Sequence, residues 1–191
     1  CMRARRRVRA AAPTAAATAD GVLAEGLSNW GFNLNLGPVV DLDVNPNNPI
    51  IGSLERAYSG KPETVAEYGI AFVDAHRDHG VLTTLKHFPG HGSSRTDSHK
   101  GAVDVSATWS EVELEPFRQL IARDRADLVM TAHVVNRALK GAGENLPVSL
   151  SAFAQSDVLR GDLGYDGVII SDDLQMDAIR RNFPLEDAVV R

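Results

Sequence analysis

Cysteine is nearly absent: Cys1 is the only one in 191 residues, which excludes a disulfide framework and a cysteine-rich zinc module. Long apolar runs are missing too, and no stretch approaches the ~18–20 residues that a membrane-crossing helix needs. Phosphate-cradling turns are wanting. No strand-like segment leads into G-x-G-x-x-G or G-x-x-x-x-G-K-[ST], and the nearest approach, Gly90-His91-Gly92, has Arg95 where the third glycine belongs. The G-x-S-x-G elbow of serine hydrolases does not occur. Asp41-Leu42-Asp43-Val44-Asn45 begins like a calcium loop, but Pro46 falls where glycine is needed and Gly52 where a bidentate glutamate is needed. The lack of disulfides fits the cytoplasm slightly better than an oxidising compartment.

What is present is ordinary for a globular chain: 43% hydrophobic and 24% charged residues. Charge is uneven. Residues 1–19 hold five arginines (Arg3, Arg5, Arg6, Arg7 and Arg9) and no acid, leaving 15 basic against 25 acidic residues in the remainder. An acidic body is a poor nucleic-acid binder. The basic start lacks the apolar stretch of a signal peptide and reads as a solvated, disordered tail.

Helical spacing runs over 14–30, 62–79, from Ser110 onward, over 151–163 and near 174–182. Between these lie four strand-like segments: 33–40, 81–86, 127–133 and 167–171. Ser110 and Glu113 have the spacing of a capping box, which predicts reciprocal bonds to the backbone at the helix start. Apolar strands alternating with amphipathic helices predict an α/β fold with a parallel sheet, either doubly wound or a (β/α)8 barrel. The strands end in Asp41, Lys86-His87, His133 and Asp172-Asp173. Ionisable groups at the same end of all four match the barrel, whose active sites gather at the C-terminal strand ends.

The segment 86–99, KHFPGHGSSRTDSH, holds three of the six histidines. His87 and His91 have the spacing of a helical metal pair, but Pro89 and Gly90 between them oppose a helix, so no metal site is expected. Gly90, Gly92, Ser93 and Ser94 predict a mobile loop ending at His99. Asp97 and His99 lie two apart, where a carboxylate can fix an imidazole tautomer and make a proton donor. The same pair also suits an ordinary polar turn. Asp172 follows the apolar run 167–171 directly and reads as a nucleophile, a cation anchor or a cap. Asp173 is better placed to cap the next helix, which leaves Asp172 freer to act.

Taken together, KHFPGHGSSRTDSH, GVIISDDLQM and NLGPVVDLDVNPNNPIIGSLERAYS resemble glycoside hydrolase family 3, in particular its bacterial β-N-acetylglucosaminidase branch. The resemblance spans residues ~20–191 and leaves 1–19 as a separate segment. It implies a retaining glycosidase on a partial (β/α)8 barrel, about four βα units corresponding to the third to sixth of eight. Asp172 matches the nucleophile, His99 the acid/base, Asp97 its partner, and Arg56, Lys86 and His87 residues that hold the sugar. It implies no cofactor and a small carbohydrate partner, an N-acetylglucosaminide from peptidoglycan or chitin. Other sugar specificity, phosphorolysis, or a sugar-binding barrel without turnover are the alternatives. The first two strands of the family barrel, which bring a further Asp and Arg, and the last two have no counterpart. The chain therefore reads as part of a longer protein, or as one completed by partner copies.

Overall fold

The computed structural model describes residues 13–139 and 145–191. The five arginines of the basic segment and Cys1 lie outside them. The first described element, α1 (Pro13–Asn29), includes residues 13–19. After α1 come β1 (Leu34–Asn35), α2 (Pro62–Arg77), β2 (Leu82–Phe88), β3 (Val103–Asp104), a 3-10 turn Glu111–Leu114 that runs into α3 (Glu115–Ala122), and β4 (Leu128–Thr131). Then follow β5 (Val134–Val135), a π helix Ala154–Asp162, β6 (Val168–Ser171), α4 (Asp177–Arg180) and α5 (Leu185–Val190).

Four strands form a parallel sheet in the order β1-β2-β4-β6, and β3 pairs with β5 in a separate parallel ribbon. The α/β class and parallel sheet expected from the alternating pattern are present. The first strand is shorter than expected: only Leu34 and Asn35 are laddered, and Val39 makes an isolated bridge to Lys86. Pro38, in a cis bond to Gly37, interrupts the run and has no N–H to give a ladder.

The core lies between the sheet and its helices. Leu85 and Phe88 of β2 and Val129 of β4 pack with Val65 and Val73 of α2 and with Phe117 and Leu120 of α3. Phe88 and Phe117 are fully buried and meet edge to face at 5.6 Å; truncating either to alanine is expected to cost ~3–5 kcal/mol. At the N-terminal strand ends, Asp127 accepts from Arg77 Nε (2.9 Å), the Thr83 amide (2.9 Å) and Thr83 Oγ1 (2.8 Å). This carboxylate ties the start of β4 to β2 and α2.

β6 is laddered to β4, and Val168 at its start is 57% exposed. One further expectation is corrected. Ser110 and Glu113 do not form a capping box. Ser110 precedes the 3-10 turn without a side-chain cap bond, and Glu113 turns inward, 1% exposed, to accept from the Ser93 amide at 3.2 Å.

Candidate active site

The C-terminal ends of the parallel strands gather the charged residues. Asp41 follows the Val39 bridge and is wholly buried. Its Oδ1 accepts from the amides of His87 (3.2 Å) and His91 (2.8 Å), and its Oδ2 from His87 Nδ1 (2.7 Å). Burial alone would raise its pKa; the His87 imidazole and the His91 N–H outweigh that and hold it below the usual carboxylate range. The ionised Asp41 therefore fixes both the backbone and the ring of β2's last turn.

Lys86 and His87 lie near the end of β2, where the strand bulges. Thr84 and Leu85 pair with Leu128 and Val129, but Phe88 pairs with Thr131, so one extra residue is accommodated between Leu85 and Phe88. The Lys86–His87 peptide within it is cis. A bulge of this kind re-aims the side chains it carries. Lys86 is half-buried, and its backbone bonds to Pro38 and Val40 join it to the segment after β1.

Beyond β2 the first part of the segment is packed more closely than its composition suggests. His91, Gly92, Ser93 and Ser94 are buried. Asn48 Nδ2 donates to the carbonyls of His91 (2.7 Å) and Gly92 (2.9 Å), Asn45 Nδ2 donates to that of Ser94 (2.8 Å), and Trp109 Nε1 donates to that of Pro89 (3.0 Å). Glycine is needed at 92 because a Cβ there would run into the Leu42 carbonyl, and at 90 because φ is +114°. Here glycine serves close packing rather than motion. His87 and His91 meet edge to face at 5.9 Å. Their nitrogens already face Asp41, Ser94 and Ser98, and no group of three metal-ligating side chains occurs among the described residues.

The exposed part of the segment carries Asp97 and His99. Asp97 Oδ1 accepts from both the His99 amide (2.9 Å) and His99 Nδ1 (2.8 Å). Partial burial pushes the Asp97 pKa up, but the two bonds from His99 and its charge prevail and lower it. An ionised Asp97 places the ring proton on Nδ1 and leaves Nε2 as the nitrogen that can exchange a proton with a ligand.

Asp172 stands directly after β6, with its amide on the Thr131 carbonyl at 3.1 Å. Asp172 Oδ1 accepts from the Asp173 amide at 2.9 Å, so Asp172 also takes part in the local turn. Asp173 does not cap the next helix as expected, because α4 begins only at Asp177, after Met176; Asp173 Oδ1 accepts from the Gln175 amide at 2.8 Å. Its carbonyl accepts from His133 Nε2 at 2.9 Å, so in the neutral ring Nδ1 accepts from Ser149 Oγ at 2.7 Å. Burial lowers the His133 pKa, and the neutral ring braces the backbone beside Asp172. Arg56 is held on the loop after β1, where its Nη1 donates to the Ile50 carbonyl at 2.9 Å.

The structure thus places Asp172, Lys86, His87 and the Asp97–His99 pair at one end of the sheet, with Arg56 on the loop after β1. Sequence reasoning missed the roles of Asp41, Asn48, His91 and Glu113. A carboxylate inside Val39-Val40-Asp41-Leu42 was the one local signal for Asp41, since a buried charge must be paired.

The chain is similar to several known proteins. The beta-hexosaminidase of Tolumonas auensis is 38% identical over 168 residues, 85% of this chain and 48% of that protein. Beta-hexosaminidase A of Pseudoalteromonas piscicida is 37% identical over 175 residues, 86% of this chain and 29% of that protein. The chain therefore spans half or less of the length of these curated relatives. The structure of a family 3 beta-N-acetylglucosaminidase from Paenibacillus sp. superposes with a TM-score of 0.88 at 40% identity, covering 96% of this chain and 34% of that one. The model of the glycosyl hydrolase family 3 N-terminal domain matches residues 7–191, further toward the N-terminus than the motifs alone reach; the chain belongs to glycosyl hydrolase family 3.

Proposed function

We propose that this chain carries the catalytic centre of a retaining β-N-acetylhexosaminidase that removes terminal β-linked N-acetylglucosamine from peptidoglycan or chitin-type fragments. One observation carries the reading above the others: Asp97 holds His99 through Nδ1 at the strand ends where Asp172 also stands. The names of the relatives supply the sugar. The sheet order β1-β2-β4-β6 advances without reversal, as neighbouring strands of a barrel do and as a doubly wound sheet does not. That supports four consecutive units, third to sixth, of a (β/α)8 barrel.

In this reading the Asp172 carboxylate attacks the anomeric carbon and the glycosidic bond breaks. The leaving oxygen takes the proton from Nε2 of the His99 imidazolium, whose charge Asp97 stabilises. Neutral His99 then takes a proton from water, the oxygen of that water attacks the anomeric carbon, and the bond to Asp172 breaks, which restores the carboxylate and the imidazolium. The histidine thus replaces the second carboxylate of the usual pair, and one imidazole can serve first as acid and then as base. Lys86, His87 and Arg56 hold the sugar hydroxyls from rigid positions.

The test is release of 4-nitrophenol from its β-N-acetylglucosaminide. Asp172→Ala is expected to lower the rate by several powers of ten with no change in the unfolding midpoint. A variant that keeps a tenth of the activity refutes the nucleophile. Absence of turnover in the unaltered full chain, with sugar still bound, selects the sugar-binding alternative.

A further inference from the structure

Asp97 and His99 lie at the surface, with the His99 side chain 58% exposed, yet the residue between them is buried, Ser98 being 2% exposed. Ser98 is gripped from two sides. Its hydroxyl lies 3.2 Å from His91 Nε2, and its carbonyl accepts from the Ala178 amide in α4 at 3.3 Å. The first contact leads back to the strand ends, because the His91 amide donates to Asp41 at 2.8 Å. The second leads to the helix that follows Asp172.

The proton positions along this path follow from the partners. Ser94 Oγ donates to the His91 carbonyl at 3.0 Å. It can then only accept from His91 Nδ1, 2.8 Å away, which puts the ring proton on Nδ1. Burial pushes the His91 pKa down to about 4, so near neutrality the ring is uncharged and Nε2 accepts from the Ser98 hydroxyl.

Building on the assignment of Asp97 and His99 as the acid/base pair, we infer that His91 and Ser98 form a positioning clasp. It sets the height and angle of that pair against both the sugar-holding end of β2 and the strand that carries Asp172. Neither residue exchanges a proton with substrate.

The experiment compares kcat/KM in the full chain for a disaccharide of β-linked N-acetylglucosamine and for the 4-nitrophenyl glycoside, together with hydrogen exchange over residues 95–101. Ser98→Ala is expected to lower the disaccharide value about tenfold, the equivalent of one ordinary hydrogen bond. The nitrophenyl value, which needs little acid help, should change less than about twofold. Exchange over 95–101 should quicken while β2 is unaffected. His91→Gln, which cuts the same bond from the other side, should give the same split. Equal losses on both substrates, unchanged exchange, or loss of the fold in both variants would make the contact merely structural and overturn the clasp. His99→Ala serves as the reference. If it shows no split between substrates, the acid/base assignment fails; if it shows the split and Ser98→Ala does not, the clasp alone fails.

Discussion

Glu113 lies beneath the segment 88–94 and offers a quantitative test of its packing. Its Oε2 accepts from the Ser93 amide, and its Oε1 is buried with no hydrogen-bond partner among the described residues. Burial, helped by the nearby Asp41 charge and opposed by the Ser93 and Gly92 backbone, raises its pKa from 4.5 to about 7. The sign follows from proton counting. Below pH 4.5 the group is protonated in both folded and unfolded chains. From there to about pH 7 the unfolded chain gives up a proton that the folded chain keeps, so stability falls as pH rises; above about 7 the whole penalty is present. At ~1.4 kcal/mol per pH unit the interval is worth roughly 3 kcal/mol. Glu113→Gln copies the shape of the neutral acid and cannot ionise. Urea unfolding of both proteins across pH 4 to 8.5 isolates this group, because other titrations largely cancel in the difference. The variant should match the parent near pH 4.5 and gain toward pH 8. At a typical slope of ~2 kcal/mol per molar urea the midpoint should rise by about 1.5 M. A difference that stays flat over this range would show that Glu113 ionises freely in the folded state, and the inward packing would be refuted.

The Asp97–His99 pair should behave as a unit. His99→Ala, Asp97→Ala and the double change should lose similar amounts of activity on disaccharide substrates, whereas multiplying losses would sink the dyad. Lys86→Ala should weaken binding of N-acetylglucosamine itself, seen by calorimetry with the free sugar; normal affinity with a lowered rate would contradict the anchoring role.

The sheet and the strand ends were legible in the sequence because both depend on local pattern. Alternating apolar segments mark strands and helices, and an ionisable residue directly after an apolar run sits at a strand mouth wherever the strand goes. Asp97 and His99 were legible for the same reason, being two residues apart. The buried network was not. Asp41 meets its partners 46 and 50 residues away, and no window of sequence holds both ends. Local rules also misled where a long-range contact overrode them. Ser110 and Glu113 have capping-box spacing, but the Ser93 amide offers Glu113 a bond that needs the fold to exist. The glycines and serines of 90–94 read as flexible because their side chains are small, and small side chains are also what close backbone packing requires. β3 escaped notice within the long loop after β2 because two paired residues leave no periodic trace.

The order of the strands has a consequence for how activity is lost. Each strand of the sheet adds to the outer side of the one before it, and β6 is laddered to β4 over four residue pairs. Asp172 is carried by this terminal unit, and the Ala178 amide that holds Ser98 follows it. In the proposed reading, the acid/base pair and the nucleophile are therefore joined across the seam between β4 and β6. Detachment of β6 and the helices beyond it would separate them while β1, β2 and β4 stay assembled around Phe88 and Phe117. Were that seam to open before the core melts, heat or denaturant would remove the proposed activity at a dose that leaves most of the secondary structure standing.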